Sequence, residues 1–387
     1  MQNDLTIVLL ARPESQHNTT QPNPNKMSPS MPMPPALTAL APAAAANPNP
    51  SESEIYDRQI RLWGAEAQSK MSSCKVLYVN VTGTSSEILK NLILAGIRGA
   101  IADGRTYPDA LAETPTSFLP PAERTGKDTD HKDDDDDEPD QKRIKKMSVA
   151  KAIQPHILEL NPLLEECEIN EQEIPSIPSD FFAKFDIVVA SNIGVQQAIR
   201  ISKATTSHNG KFYMVHSFGL YACALIDLGE GHTYRKEIGK DKLSGVLKLD
   251  PYTSLEDMLM QKKLGDVKDR WHKSGPPMVY TKYRAILNYC ERKGTFPTCT
   301  EESAVEFVEL TRAFLKEQGL ESSYLGDEDD LKQLANTATA DVSPVCAVMG
   351  GVLGNEVIKA ISGKGEPANN MLLFDGMDGG CKSFALK

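Results

Sequence analysis

Two adjoining segments decide the fold of this chain: Lys75-Val76-Leu77-Tyr78-Val79, then Asn80-Val81-Thr82-Gly83-Thr84-Ser85. The first is an apolar run typical of a buried strand. Residues 86–95 follow with helical spacing of apolar positions, and Gly96 is a stop signal. A nucleotide site between such a strand and helix needs G-x-G-x-x-G, so that the backbone can turn and a phosphate can approach. Only Gly83 remains, so the sequence predicts the architecture of a nucleotide fold with a disabled site.

Composition narrows the class of protein. The 387 residues are 40% hydrophobic, enough for a sizeable core with two or three lobes. The formal net charge is −11. Because phosphate binding needs a basic surface, we expect no nucleic-acid partner. No apolar run of the sequence looks long enough to cross a membrane, and the first residues do not have the pattern of a signal peptide, so no membrane role is expected.

The cysteines do not form a metal or disulfide pattern. There are seven, an odd number, and no two of them form C-x-x-C. Reduced thiols inside a cell fit this pattern better than a disulfide framework or a cysteine-based zinc site. The chain also lacks H-E-x-x-H, G-x-S-x-G and the Walker A motif.

Strand and helix patterns alternate along the ordered part, which predicts an α/β fold with a doubly wound, Rossmann-like and mostly parallel sheet. Further segments of this pattern are strands near 99–103, 186–190, 212–215, 222–228 and 371–375, and helices near 149–160, 195–207 and 344–362. Amphipathic helices are expected at 254–263, 280–293 and 301–318.

The composition also predicts the domain organisation. Residues 1–52, rich in Pro, Ala, Asn and Ser, are a disordered tail. Residues 53–236 and 341–387 form the two parts of the α/β domain, and 237–340 form a helical insert. An acidic loop at 125–146 ends in basic residues that are either an ordinary solvated surface or a nuclear-import patch.

The segment from Ile55 to Gly64 predicts a helix with Ile60, Trp63 and Ala67 on one face. Arg58 and Arg61 then point elsewhere. An arginine fork suits a phosphate or a carboxylate, although a solvated charged face is the simpler interpretation from physics alone.

The arginine helix and three other segments resemble a known protein family. The run Tyr-Asp-Arg-Gln-Ile-Arg-Leu-Trp-Gly at 56–64, the helix at 87–96, and the motifs at 344–351 and 369–377 are similar to the activating enzymes for ubiquitin-like proteins. Within that family the chain resembles most the smaller, non-catalytic (Aos-type) subunit of SUMO-activating enzymes. The resemblance covers about residues 54–230 and 341–387, and it implies that the α/β domain at 53–236 and 341–387 is a degenerate adenylation domain.

The resemblance implies a heterodimer. In that family a catalytic subunit binds ATP and Mg²⁺, adenylates the C-terminus of the modifier and takes it as a cysteine thioester. The degenerate subunit completes the pair and supplies an arginine to the partner's ATP phosphates. The matching residue here is Arg58, in trans, with no catalytic residue, metal ligand or nucleotide of the chain's own. The implied location is the nucleus and the cytoplasm, with SUMO-like protein engaged through the complex.

Three residues near the loop bear on whether this chain could bind a nucleotide and a metal itself. Active family members have a metal-binding Asp where this chain has Ile193 and Gly194, and neither side chain binds magnesium. Asp103 stands about 20 residues beyond the loop, where a ribose-binding carboxylate lies in dinucleotide folds. An acid at a strand end is common, so both interpretations of Asp103 stay open.

One segment resembles the other subunit instead. Residues 295–300 are similar to the motif around the catalytic cysteine, with Cys299 before a helix N-terminus, where a thiol can gain reactivity. The zinc-binding cysteine pairs of the catalytic subunit are absent, and a loop cysteine is the preferred interpretation.

Three other functions compete with SUMO activation. The equivalent subunit for a Nedd/Rub-type modifier is the nearest, although such chains carry a much larger insert. A stand-alone ThiF/MoeB-like adenylating enzyme keeps the glycine loop and the metal Asp, which are missing here. A nicotinamide-dependent oxidoreductase also needs the missing glycines.

Overall fold

A computed structural model describes residues 52–106, 147–239, 242–267 and 275–386. The predicted tail, apart from its last residue, and the acidic loop with its basic end lie outside these ranges. The domain boundaries stay predictions, but the α/β fold class is confirmed.

The described elements follow one another as expected for a doubly wound domain. The helices are α1 Glu52–Ile55, α2 Asp57–Trp63, α3 Ala65–Ser73, α4 Gly83–Leu94, α5 Val149–Leu160, α6 Ser179–Phe182, α7 Val195–Thr206, α8 Met278–Lys293, α9 Glu301–Glu317, α10 Glu328–Asn336 and α11 Ser343–Ser362. The strands are β1 Lys75–Val79, β2 Arg98–Ala102, β3 Glu168–Asn170, β4 Ile187–Ser191, β5 Lys211–Phe218, β6 Tyr221–Asp227, β7 Thr233–Tyr234, β8 Glu237–Gly239, β9 Lys242–Leu243, β10 Leu247–Lys248, β11 Met371–Asp375 and β12 Gly380–Phe384.

Eight strands form one mixed sheet in the order β12-β11-β6-β5-β4-β1-β2-β3. The pairs among β3, β2, β1, β4 and β5 are parallel, while β6, β11 and β12 join antiparallel. Val79 pairs with Ala102 on one side and with Ala190 on the other. The loops that follow β1, β2 and β4 therefore meet at the carboxyl edge of the sheet, where α/β domains bind ligands.

Both faces of the sheet are buried, and successive side chains of a strand point to opposite faces. Val76 and Tyr78 point into a core with α4, α5 and α11, while Leu77 and Val79 point into a second core. Helices α7 to α10 contribute to that second core. The helices of the predicted insert thus share a hydrophobic core with the central strands.

Most predicted elements are present with small shifts at their ends. Strands 75–79 and 371–375 and helix 149–160 have the predicted bounds. The segment 254–263 is helical only over 255–261, with π-helical geometry at Asp257–Gln261. Helix α10 and strands β3 and β12 were not predicted, because each is short and carries a weak pattern.

The C-terminal helix α11 corrects one sequence-based expectation. It has 20 residues and a mean hydropathy of 1.4, so by length and composition it could cross a membrane. More than half of its most apolar window is buried inside the protein. Two of its glycines lie against α4: a Cβ at Gly354 would meet Asn91 at 3.5 Å, and Gly350 lies closer still to Glu87. The helix is apolar because it packs on α4.

Gly350 and Gly351 allow a matched test of this packing. A Cβ at Gly350 would overlap the Glu87 Cβ, whereas one at Gly351 would meet nothing within 4 Å. We expect Gly350→Ala to lower the free energy of unfolding by about 1–3 kcal/mol, because the two helices must separate. Gly351→Ala should raise it by about 0.5–1 kcal/mol through helix propensity. Urea unfolding measures both, and equal effects would contradict the assigned contact.

Candidate functional site

The loop after β1 turns without the glycines of a nucleotide site. Asn80 takes a left-handed conformation with φ of 55°, which asparagine tolerates better than most residues. The Thr82 side chain then caps α4 by accepting a hydrogen bond from the Ser85 N–H, while Ser85 Oγ accepts one from the Thr82 N–H at 2.7 Å. This capping box starts α4 at Gly83, three residues before the predicted start.

A carboxylate from a distant part of the chain lies at the N-terminus of α4. The Gly83 N–H donates to Asp341 Oδ2 at 2.7 Å. A Cβ placed on Gly83 would lie 3.1 Å from the Asp341 carboxyl and 3.0 Å from the Cys346 Sγ. Helix N-termini attract anions through their free N–H groups and the helix dipole. Asp341 therefore occupies the position that a nucleotide phosphate takes in active folds of this kind.

Burial raises the pKa values of the two ionisable groups at this contact, Asp341 and Cys346. Burial raises the pKa of Asp341, and the hydrogen bonds from Gly83 and Cys346 oppose that shift. Burial, followed by the negative charge of Asp341, raises the pKa of the Cys346 thiol to about 12. Cys346 is thus a protonated, unreactive thiol that donates to Asp341 Oδ1 at 3.5 Å.

Asp103 holds the loop from the side of β2. Its carboxylate is fully buried and accepts the Val81 N–H at 2.8 Å. Arg105 binds both carboxylate oxygens, with Nε at 3.0 Å and Nη2 at 2.7 Å, and also donates to the Val81 carbonyl at 2.8 Å. These contacts favour the structural interpretation of Asp103, since both oxygens already have partners within the chain.

A second carboxylate binds the N-terminus of the neighbouring helix, α7. Ile193 is buried, and Gly194 is the N-cap of α7. The Val195 N–H donates to Glu291 Oε1 at 2.8 Å, and a Cβ on Gly194 would approach the same oxygen at 3.0 Å. Glu291 belongs to α8, so the predicted insert supplies the group that closes this end of the sheet.

These contacts do not fit ATP and magnesium. Val81 is fully buried beside the loop, and carboxylates hold the N-terminal N–H groups of both helices at the sheet edge. In the described ranges, no group of three or more His, Cys, Asp or Glu side chains could hold a metal ion. Phosphates brought to this edge would meet fixed negative charge.

The two arginines of the N-terminal helix have different surroundings. Arg61 pairs with Asp57 one helical turn earlier, with Nη2 2.9 Å from Oδ2 and Nε 3.1 Å from Oδ1. Arg58 is exposed and has no ion pair or hydrogen bond within the part of the chain that the structure describes. Arg58 is therefore the free guanidinium of this helix. Its neighbour one turn on, Leu62, is 73% exposed.

Polar contacts fix this helix near the C-terminus of α4. Gln59 donates to the Leu94 carbonyl at 3.2 Å, and Gln68 of α3 donates to the Ala95 carbonyl at 3.1 Å. The buried Tyr56 hydroxyl accepts a hydrogen bond from Asn161 at 2.7 Å. Ile60 and Trp63 are only partly buried, whereas Ala67 is buried as its helical face predicts.

Arg58 lies far from the chain's own degenerate loop. The loop is at the N-terminus of α4 and the arginine helix is at its C-terminus. A 12-residue helix is about 18 Å long. The free guanidinium therefore cannot serve the loop of its own chain, and it is available to a second molecule.

Cys299 lies on the surface just before α9. It is exposed, and its thiol donates to the Asn336 carbonyl at 3.0 Å. Thr300 caps α9, with its side chain accepting from the Ser303 N–H. The first turn of α9 carries Glu301 and Glu302. This environment fits a loop cysteine.

The fold and its closed loop define the class: an α/β domain with a mostly parallel sheet, whose loop after β1 is held by carboxylates of the same chain. Comparison with known proteins agrees. The chain is 28% identical over 347 residues to SUMO-activating enzyme subunit 1 of Xenopus laevis, covering 83% of this chain and 92% of that protein. It is 27% identical to the protein of that name from Dictyostelium discoideum, over 84% and 91% of the two chains.

The protein of that name from Homo sapiens is 26% identical, over 84% of this chain and 92% of its own. No protein-family model matches the chain. The chain is thus a homologue of the SUMO-activating enzyme subunit 1 proteins over most of its length, and the resemblance that the sequence predicts is confirmed.

The sequence did not reveal the residues that close the loop. Asp341 is 258 positions from Gly83, and Glu291 is 96 positions from Val195. A single sequence gives no signal for such pairs. Arg105 was readable in part, because an arginine two residues after Asp103 is an obvious candidate for an ion pair.

Asp341 gives a test that depends on pH. Its pKa is raised by folding, so its contribution to stability is complete below its unfolded pKa of about 4 and declines as pH rises through the folded pKa. We expect the stability of the wild type, relative to Asp341→Asn, to fall as pH rises from acid to neutral. Urea unfolding across that pH range measures this difference.

Asp378 is the control for that experiment. Lys382 lowers the pKa of Asp378, so its contribution is lost as pH falls. Relative to Asp378→Asn, wild-type stability should therefore rise with pH, opposite to the trend for Asp341. Parallel trends for the two variants would contradict the role given to burial at Asp341.

Proposed function

We propose that this chain is the regulatory, catalytically degenerate subunit of a SUMO-activating enzyme. A catalytic subunit binds ATP and Mg²⁺, adenylates the modifier and takes it as a thioester, while this chain completes the pair. The names of the relatives support the SUMO assignment. The observation that carries the proposal is a free Arg58 on a firmly held helix, in a chain whose own loop is closed by Asp341.

Arg58 acts in trans in this proposal. Loss of pyrophosphate from ATP moves negative charge onto the leaving phosphates, and a positioned guanidinium stabilises that charge. The contacts of Gln59 and Tyr56 keep the helix in place, so little conformational freedom is lost when Arg58 enters the partner's site. Arg61 cannot do the same without breaking its pair with Asp57.

The alternatives are weaker. A subunit for a Nedd/Rub-type modifier would share the fold and the arginine, but the relatives reported above carry the SUMO name. A stand-alone adenylating enzyme would need the space and the N–H groups that Asp341 and Glu291 occupy. Location in the nucleus and the cytoplasm follows from the SUMO assignment alone.

Arg58→Ala should slow adenylation without weakening the pair. We expect ATP–pyrophosphate exchange by the complex with the catalytic subunit to fall on the order of 10²-fold, the usual loss when one stabilising donor is removed. The dissociation constant of the two subunits should stay unchanged. Steady-state exchange and calorimetric titration of one subunit into the other measure the two quantities.

Arg61→Ala is the matched control for that experiment. It removes the same charge from the same helix, but from a guanidinium that already has a partner. Exchange should then remain close to the wild-type rate. Equal losses in the two variants, or full activity of Arg58→Ala, would contradict the assigned role.

Leu62 should contribute to pairing. It is 73% exposed on the same helical face as Arg58, and an exposed leucine gains most from burial against another subunit. We expect Leu62→Ser to raise the dissociation constant of the pair about tenfold with no loss of thermal stability. Val305→Ser, at another exposed apolar residue, is the control. A tight pair with Leu62→Ser would exclude this face from the interface.

A further inference from the structure

A cavity of about 260 Å³ lies where α3, the short strands β7 to β10 and the end of α11 come together. Three cationic side chains line it, together with one carboxylate and an apolar wall: Lys70, Arg235, Lys364, Glu66, Tyr234, Leu243 and Val246. In a chain with a formal net charge of −11, this excess of positive charge in one cavity is unusual. It attracts a negatively charged group.

Two of the cations already have partners. Lys70 pairs with Glu66 at 2.9 Å, and Lys364 Nζ donates to the Trp63 carbonyl at 2.5 Å. The pKa of Glu66 is lowered by Lys70 first and also by Lys364 and Arg235, so all three positive charges converge on one carboxylate. One carboxylate against three cations leaves the cavity positive.

Arg235 is the cation that remains available. Its guanidinium makes no hydrogen bond or ion pair with any residue the structure describes, and its side chain is exposed. Its backbone is fixed on both sides, by an N–H donated to the Gly363 carbonyl and a carbonyl that accepts the Gly365 N–H, both at 2.9 Å. A free guanidinium on a fixed backbone is prepared to bind a carboxylate.

The wall of the cavity is apolar and continues onto the surface. Val246 is 60% exposed, and Ile238, on the strand paired with that of Leu243, is 66% exposed. Exposed apolar residues beside a charged cavity are typical of protein contacts, with burial in the centre and charge pairing at the rim. A bare inorganic anion would leave this apolar wall unused.

The cavity also lies next to the arginine helix. Lys364 holds the carbonyl of Trp63, the last residue of α2. Arg58 is five residues earlier in the same helix, which is about 7.5 Å along its axis. A protein that receives Arg58 therefore reaches the rim of the cavity without crossing the rest of the domain.

We propose that this cavity is a second docking point for the catalytic subunit, in which Arg235 binds an acidic side chain flanked by apolar residues of that subunit. The inference rests on the proposed function, because it requires that the pair exists. It adds a contact that fixes the orientation of the two subunits, so that Arg58 enters the partner's ATP site in one pose.

Charge reversal at Arg235 tests the proposal. With the full chain and the catalytic subunit, we expect Arg235→Glu to raise the dissociation constant about tenfold, and to do so most at low NaCl. The melting temperature of the free chain should stay close to the wild-type value, since the exposed Arg235 side chain makes no hydrogen bond or ion pair with any described residue. ATP–pyrophosphate exchange at saturating concentrations of both subunits should stay below the wild-type rate, because Arg58 then enters the partner's site in more than one pose.

Arg312→Glu is the matched control. Arg312 is an exposed arginine of α9 that lines a different cleft, and its reversal changes the net charge by the same amount. It should leave pairing unchanged. Equal effects of the two reversals would overturn the proposal, because they would reflect net charge and not this cavity.

The remaining outcomes separate this inference from the proposed function. A wild-type chain that pairs and supports exchange, with pairing untouched by Arg235→Glu, overturns the docking point alone. A wild-type chain that does not pair with the catalytic subunit overturns both. Thermal stabilisation of the wild type, but not of Arg235→Glu, by inorganic phosphate without any change in pairing would mean that the cavity binds a free anion, and would also overturn the docking point.

Discussion

The hydrogen bond from the Gly83 N–H to the Asp341 carboxylate is the contact on which the candidate site depends. In a nucleotide-binding fold the first turn of this helix is left free for a phosphate. Here a residue just before α11 supplies the negative charge instead. The Asp341 carboxylate thus accepts the hydrogen bond of the free N–H group at the N-terminus of α4 permanently. The loop therefore needs no ligand to be stable. The same contact draws the start of α11 towards α4, along which Gly350 and Gly354 pack.

Helix α4 connects the closed loop at its N-terminus with the segment that carries Arg58 at its C-terminus. Its N-terminus carries the degenerate loop, its side packs on α11, and the carbonyls of Leu94 and Ala95 at its C-terminus hold Gln59 and Gln68. Its burial keeps it rigid. The helix whose N-terminus is bound by Asp341 therefore positions, at its other end, the segment that carries Arg58.

The sequence predicted what local patterns determine. The strand 75–79 followed from its apolar run, and the start of α4 was late only because the Thr82 cap was overlooked. The missing glycines predicted a disabled site, but not what fills it, since Asp341 and Glu291 approach from far along the chain. The resemblance indicated Arg58. The four-residue spacing of Asp57 and Arg61 was compatible with an ion pair within the helix. Side-chain geometry was needed to establish that Arg61 is paired and that Arg58 is free.

A site closed by its own carboxylates has a mechanical consequence. An active nucleotide loop changes its contacts when ATP binds and when pyrophosphate leaves. The Asp341 and Glu291 contacts do not depend on any ligand, and Asp103 with Arg105 fixes the loop from the other side. The surface that carries Arg58 and Leu62 is therefore independent of nucleotide. In the pair that we propose, the catalytic subunit cycles through the reaction while this chain presents an unchanging face, and Arg58 on that face would meet every ATP in the same geometry.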